Sequence, residues 1–172
     1  MSDVEYIIET TDLSKSYGPH LALENLNLKI RKGATGLLGP NGAGKSTFLK
    51  TILGLIQATS GHGTVLGHDI RTEGAAIRSR IGYMPEYDAL NPDMEAIHQV
   101  KYSGELLGMN PIVAMSRAHE VLQYVGLGEQ RYRNIGSFST GMKQATKLAC
   151  SIIHDPESVS YTHLRAHETV YN

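Results

Sequence analysis

The sequence is poor in cysteine and in long apolar runs, and each shortage excludes a class of protein. Among its 172 residues there is one cysteine, Cys150, which excludes an internal disulfide framework and fits a reducing compartment. No apolar run approaches the roughly 18 residues of a membrane-spanning helix. The N-terminus carries Asp3 and Glu5 without the basic-then-apolar order of a signal peptide. We therefore expect a cytoplasmic chain.

An excess of charge of one sign is also lacking. The chain has 16 Lys and Arg against 17 Asp and Glu, so its formal net charge is −1. Proteins that hold nucleic acid through bulk electrostatics carry a basic excess, and we expect no nucleic-acid partner. A chain of this length can bury one core, or a core with a small satellite lobe.

What the chain does have is a glycine-rich stretch that fits the phosphate-loop pattern G-x-x-x-x-G-K-[ST]. It reads Gly39-Pro40-Asn41-Gly42-Ala43-Gly44-Lys45-Ser46-Thr47. Glycines allow positive φ, and successive N–H groups in such a turn form a concave anion site. In this pattern Lys45 reaches the β- and γ-phosphates and the Ser46 hydroxyl binds Mg²⁺. The stretch predicts a nucleotide site.

The residues on either side of this loop support the prediction. Ala34–Leu38 is short, apolar and bounded by glycine, which predicts a buried strand. Apolar residues recur at helical spacing from Lys45 to about Leu55, which predicts a helix. The loop would then join a strand to a helix N-terminus, whose dipole favours phosphate.

Other stretches predict an antiparallel strand and a group of helices. Apolar residues alternate over Leu21–Ile30 with a slip at Glu24–Asn25, which predicts a bulge in a strand with one solvated face. Cys150 lies in an apolar helical run, so we expect a small buried side chain rather than a nucleophile. The remaining predictions are a strand at Ile81–Met84 and helices at Met94–Leu107 capped by Asn91–Asp93, at Ile112–Val125 after Pro111, and at Thr140–Ile153.

With Tyr17 and Phe138–Gln144 added to the phosphate loop, the chain resembles the ATP-binding domain of ABC transporters over roughly residues 5 to 157. The stretch LLGPNGAGKST is similar to that family's own version of the loop. The resemblance implies an α/β fold, namely a RecA-like P-loop NTPase core with an antiparallel β subdomain and a helical subdomain. The implied divisions are the core with the β subdomain at 1–86, the helical subdomain at 87–136, the signature segment and its helix at 137–157, and a non-native tail at 158–172.

The resemblance also implies roles for residues outside the loop. Tyr17 lies where the family places an aromatic ring that stacks on adenine, a reasonable contact for a flat ring. Glu86 lies where the family usually has a glutamine that reaches Mg²⁺, and a carboxylate oxygen also suits a hard cation. Such glutamates are similar to those of the drug, sodium and antibiotic exporter branch. Catalysis is thereby assigned to Lys45 and Glu86, and Mg²⁺ binding to Ser46 and Glu86.

The segment from Phe138 to Met142 corresponds to the family's LSGGQ signature. Ser139 and Gly141 match the signature, whereas Phe138, Thr140 and Met142 depart from it. A signature of this kind begins a helix, so its N–H groups can face a γ-phosphate. In the family this phosphate belongs to the nucleotide held by the other subunit. The resemblance therefore implies that Ser139, Thr140 and Gly141 complete the site of a second nucleotide-binding domain, identical or not.

The resemblance stops after Asp155-Pro156-Glu157, where the family continues with about four apolar residues and then Asp-Glu, which hold Mg²⁺ and supply the general base. Here no apolar run follows, and Glu168 is the next acid. Val159–Thr169 is similar to an in-frame translation of a transposase adapter used in short-read sequencing libraries. We therefore expect the genuine protein to continue differently beyond Glu157, and the C-terminal part of the core to be missing. A divergent natural C-terminus is the alternative.

These expectations describe the ATP-binding subunit of an ABC exporter. Its cofactors would be ATP and Mg²⁺, and its partners a second nucleotide-binding domain and an integral membrane permease that holds it at the cytoplasmic face of the membrane. We expect the 172-residue chain itself to be poorly soluble or only partly folded, to bind ATP poorly and not to hydrolyse it. A soluble ABC-type ATPase without a membrane partner stays open, as does a small P-loop kinase or GTPase.

Overall fold

The computed structural model describes residues 6–85 and 89–161, and the chain divides into two compact units, Met1–Arg78 and Ser79–Asn172. The first unit is built on a four-stranded antiparallel sheet in the order β2-β1-β3-β4. Its elements are β1 (Tyr6–Tyr17), β2 (His20–Arg31), α1 (Lys45–Ile52), β3 (Ser60–Val65), β4 (His68–Asp69) and α2 (Gly74–Arg80), which crosses into the second unit.

The bulge predicted at Glu24–Asn25 is confirmed. The register between β1 and β2 shifts on either side of Leu13, which pairs with Leu26. Asn25 has a φ of 42°, and its N–H donates to the hydroxyl of buried Ser14 at 2.9 Å. The hydroxyl thus replaces a ladder partner that the bulge removes.

The buried strand predicted over Ala34–Leu38 is wrong. These residues take no regular secondary structure, and the Leu38 side chain is 97% exposed. An apolar run becomes a strand only where neighbouring strands accept its backbone hydrogen bonds. Within 6–85 and 89–161 no strand pairs with this stretch, so its backbone hydrogen bonds have no neighbouring strand to accept them.

The second unit is mainly helical. Helices α3, α4 and α5 enclose a core that includes Val100, Leu122 and Ile153. Along the described part of the chain, each helix is too short or too polar to cross a membrane. The elements are β5 (Ile81–Met84), α3 (Ala96–Leu106), α4 (Pro111–Tyr124), two 3₁₀ helices (Gly128–Tyr132 and Ile135–Ser137), α5 (Thr140–Ile152) and β6 (Ser158–Tyr161).

The three helices predicted for this unit are confirmed, with one change at a helix start. Pro111 occupies the first turn of α4, and the Asn110 side chain accepts a hydrogen bond from Ile112 N at 3.0 Å. Helix α3 begins two residues later than predicted, with Glu95 at its N-cap. The stretch Asn91–Asp93 is therefore not its cap. It forms a separate turn because the Asn91 side chain accepts from Asp93 N at 3.0 Å.

A strand follows Glu157, although no apolar run follows it in the sequence and the C-terminal part of the core was expected to be missing. Strand β6 runs parallel to β5, with Ser158 opposite Ile81. Arg80 fixes the approach to β6, because its side chain donates to both Glu157 carboxylate oxygens at 2.6 and 2.9 Å and its carbonyl accepts from Glu157 N at 2.8 Å. Parallel pairing is made by the main chain, and valine and tyrosine favour strands. An uninterrupted apolar run is therefore not needed here.

The expectation for Cys150 is confirmed. Its side chain packs against the helical core as a partly buried free thiol. Burial raises the pKa of the Cys150 thiol to about 11. The thiolate that a nucleophile needs is therefore scarce at neutral pH.

Candidate functional site

The phosphate loop, Gly39–Thr47, is held in a compact turn at the start of α1. Gly42 and Gly44 have φ values of 87° and 82°, a conformation that glycine adopts without the Cβ strain of other residues. The Ala43 N–H donates to Pro40 O at 3.2 Å and closes the turn. The predicted helix after the loop is confirmed as α1.

Strand β2 supports the loop at Gly44. A Cβ atom at Gly44 would collide with the Ala22 carbonyl oxygen and lie 3.0 Å from Leu23 Cδ2. Only glycine therefore lets α1 begin this close to the sheet. At the other end of α1, Arg78 Nη1 donates to Leu53 O at 3.1 Å and to Gly54 O at 3.3 Å. Both ends of the helix that carries the loop are thus fixed within the first unit.

Lys45 folds back over the loop. Its ammonium donates to Gly39 O at 2.7 Å and to Pro40 O at 2.8 Å. The first turn of α1 contains no acidic residue, and its leading N–H groups have no acceptor within the helix. Amide donors and an ammonium are therefore gathered at one helix N-terminus, beside the exposed Ser46. This arrangement suits a polyanion such as a triphosphate.

Tyr17 lies in the same unit, at the end of β1. Its side chain is 48% exposed. The Lys15 ammonium lies 5.0 Å from the centroid of its ring, a cation–π distance. An exposed aromatic ring of this kind can receive a flat base. Lys15 was not predicted as a site residue, although residues two apart on a strand share a face.

The signature segment forms the N-terminus of α5 in the second unit. Ser139 is the N-cap, and its hydroxyl accepts from Met142 N at 3.3 Å. Phe138, the first residue of the expected signature, is 6% exposed in the helical core and anchors the chain just before the helix. Thr140 and Gly141 are exposed, and a Cβ at Gly141 would meet no atom within 4 Å. Nothing in the packing of residues 6–85 and 89–161 requires glycine at 141.

Glu86 lies outside the described residues, so its assignment remains a prediction. The structure does describe Pro85 beside it, whose carbonyl accepts from Lys147 Nζ at 3.3 Å. Lys147 is 4% exposed, and its contact was not predicted because a lysine on a helix is usually exposed. Across 6–85 and 89–161 there is no group of three or more His, Cys, Asp or Glu placed to hold a metal.

Comparison with known proteins decides the family. The profile of the ABC transporter family matches residues 23–159. The chain belongs to the ABC transporter family. This ABC family chain is 38% identical over 152 residues to the linearmycin resistance ATP-binding protein LnrL of Bacillus subtilis (strain 168). It is 36% identical over 152 residues to the bacitracin transport ATP-binding protein BcrA of Bacillus licheniformis.

Both matches cover 88% of this ABC family chain and 49% of the relative. The chain thus spans about half the length of these curated relatives.

Solved structures of ABC proteins share the fold. The chain superposes on cbiO1 of Clostridium perfringens, part of the ABC transporter complex cbiONQ, with a TM-score of 0.79 at 21% identity, covering 91% of this chain and 65% of that one. A nucleotide-free ATP-binding cassette from an ABC transporter gives a TM-score of 0.78 at 22% identity, covering 91% and 68%. The predicted fold class, an α/β P-loop NTPase with antiparallel β and helical parts, is confirmed.

Proposed function

We propose that this chain is the ATP-binding part of an ABC exporter, which couples ATP binding and hydrolysis to transport through a separate membrane partner. The observation that carries the proposal is the gathering of amide donors and the Lys45 ammonium at the N-terminus of α1. The relatives named for linearmycin resistance and bacitracin transport support the exporter branch.

The loop residues Gly39–Thr47 would bind the triphosphate through main-chain N–H groups. Lys45 would exchange the carbonyls of Gly39 and Pro40, which it now contacts at 2.7 and 2.8 Å, for the β- and γ-phosphate oxygens. The ammonium would then offset charge that builds up on the phosphate oxygens during hydrolysis. Tyr17 would stack on adenine through its half-exposed ring.

The residues assigned to Mg²⁺ are the Ser46 hydroxyl and the Glu86 carboxylate. Ser46 fits this role because it is exposed in the first turn of α1, next to Lys45. When bound, Mg²⁺ supplies further positive charge to the phosphate oxygens. Ser46 would orient that cation from the loop, and Glu86 would contribute an oxygen ligand of the kind that hard cations prefer.

The signature residues Ser139, Thr140 and Gly141 would complete the nucleotide site of a second nucleotide-binding domain. The support is the open space around Gly141. Gly141 lies in the first turn of α5, where the described packing leaves room for alanine, the better helix former. Its absence of a side chain suits the close approach of another molecule.

Gly141→Ala is expected to distinguish a role of Gly141 in helix stability from a role in the second nucleotide site. The free energy of unfolding should stay within about 1 kcal/mol of the parent, because alanine is the better helix former and has room. ATP-dependent dimerisation of the intact protein should be lost, because the added methyl group would meet the partner's nucleotide. Chemical denaturation and sedimentation with ATP measure the two effects. Unchanged dimerisation would contradict the role in the second site.

The domain divisions at 1–86, 87–136, 137–157 and 158–172 are part of the proposal, with 158–172 as a non-native tail. Strand β6 contains serine, valine, serine and tyrosine, so it offers no carboxylate to hold Mg²⁺ or to activate water. Sequencing the locus with independent long reads tests the tail. The same codons after Glu157 in clean reads would refute it.

We expect the 172-residue chain to release no phosphate from ATP above a buffer control. The intact protein with the genuine sequence after Glu157 should hydrolyse ATP, prefer it to GTP and co-purify with membranes that contain its permease. Phosphate release is measured for both proteins under the same conditions. Turnover by the 172-residue chain would refute the missing-base argument. Phosphoryl transfer to an acceptor would indicate a kinase, and purification without any membrane partner a soluble ATPase.

A further inference from the structure

Lys15 and Tyr17 form a cation–π pair at the end of β1. They are two residues apart on one strand, so their side chains project from the same face. The Lys15 ammonium lies 5.0 Å from the centroid of the Tyr17 ring. Tyr17 as a residue is nevertheless 48% exposed, so the contact with the ammonium leaves part of it open to another molecule.

The charge of Lys15 has no acidic partner in the described chain. Lys29 on neighbouring β2 provides the contrast. Its ammonium lies 5.2 Å from the centroid of Tyr6 but also forms an ion pair with Glu9 at 2.8 Å. Each of the two lysines thus makes a cation–π contact. Of the two, Lys29 also has an acidic partner, whereas Lys15 has none among the described residues.

We propose that Lys15 is a positioning residue for the base of ATP: it holds the Tyr17 ring by one face and leaves the opposite face for adenine. This inference rests on the proposed stacking of adenine on Tyr17. A ring that is already held loses less side-chain freedom when the base binds. A cation on one face also attracts the ring's π electrons, which makes the opposite face a better partner for an electron-rich base.

A second role for the ammonium, direct contact with phosphate, makes a different prediction. A phosphate contact would contribute equally to ATP and to a triphosphate that has no base. A contact that acts through Tyr17 would contribute to ATP alone. The difference between the two ligands therefore separates the two roles.

The test compares binding of ATP and of inorganic tripolyphosphate to the intact protein by isothermal titration calorimetry. Lys15→Met should weaken ATP binding about fivefold and leave tripolyphosphate binding unchanged. Lys15→Arg should restore ATP binding, because a guanidinium also packs on an aromatic face. Lys29→Met is the matched control, since it removes the same charge and a cation–π contact from the same sheet. It should alter neither ligand.

Each result decides the proposal. Unchanged ATP binding by Lys15→Met, or an equal loss for both ligands, would overturn it. Retained tripolyphosphate binding shows that the phosphate loop of each variant is folded. Tyr17→Ala distinguishes the inference from the function beneath it. If Tyr17→Ala binds ATP like the parent, stacking itself is wrong, whereas loss in Tyr17→Ala with no loss in Lys15→Met refutes the role of Lys15 alone.

Discussion

Replacement of Lys45 by alanine is expected to weaken ATP binding by the intact protein at least about tenfold and to abolish ATP hydrolysis. The ammonium, which donates to Gly39 O and Pro40 O, would otherwise make charge-assisted hydrogen bonds to the phosphates. Each bond of this kind contributes roughly 1.5–3 kcal/mol. Isothermal titration calorimetry with ATP and a phosphate-release assay measure the two losses.

Lys50→Ala is the matched control for this substitution. Lys50 is an exposed lysine in the last turn of the same helix α1, so its removal changes the net charge equally. We expect ATP affinity to stay within about twofold of the parent, because an exposed charge far from the phosphates is screened by solvent. If Lys45→Ala binds and hydrolyses ATP as well as its parent, the phosphate-loop assignment is wrong.

Gly61→Ala is expected to lower the free energy of unfolding by more than about 3 kcal/mol, which places it among severe single substitutions. Gly61 lies in β3 with a φ of 79°. A Cβ there would collide with the Asp12 carbonyl and lie 2.6 Å from Leu13 N. Both are backbone atoms of the bulged part of β1, so relief requires the strand to move. Urea denaturation followed by circular dichroism measures the loss.

Gly67→Ala isolates the part of this loss that comes from backbone conformation. Gly67 has nearly the same φ, 80°, but a Cβ there would meet no atom within 4 Å. Its substitution should therefore cost about 1–2 kcal/mol, the usual penalty for a left-handed residue with a side chain. Equal losses for Gly61→Ala and Gly67→Ala would mean that β1 yields without cost and that the collision at Gly61 has no energetic consequence.

The helices of the second unit were predictable because their signals are local. Proline in the first turn, a capping side chain and apolar residues at helical spacing lie within the segment that becomes the helix. Asn110 with Pro111 and Ser139 before Thr140 show this directly, since each cap hydrogen bond spans two or three residues. The largest shift, two residues, is at the start of α3, because Asn91 caps a turn of its own; the other bounds differ by one residue at most.

Two stretches differ from expectation, one wrongly predicted as a strand and one not predicted as a strand, because strand formation depends on residues far away in the sequence. Ala34–Leu38 has the composition of a buried strand, yet no described strand lies beside it to accept its hydrogen bonds. Ser158–Tyr161 lacks an apolar run, yet β5 provides a pairing partner 77 residues before it. Composition indicates what a segment can become, whereas partners decide whether a strand forms.

The candidate site divides in the same way. Gly39–Thr47 could be predicted because its chemistry is written in one continuous stretch. The hydrogen bond from buried Lys147 to Pro85 O joins residues far apart in sequence, so no local sequence pattern predicts it. The Lys15 ammonium over Tyr17 is an intermediate case, since the spacing permits the contact but only the three-dimensional structure selects it.

The hydrogen bonds between Arg80 and Glu157 have a consequence for how β6 is positioned. These contacts act on Glu157, the residue just before β6, through one carboxylate and one amide, so they place the start of β6 beside β5 without using any side chain of β6. A segment with quite different side chains could therefore occupy the same position beside β5. Architecture and reactivity are thus specified by separate stretches of chain, and a variant can retain one while lacking the other.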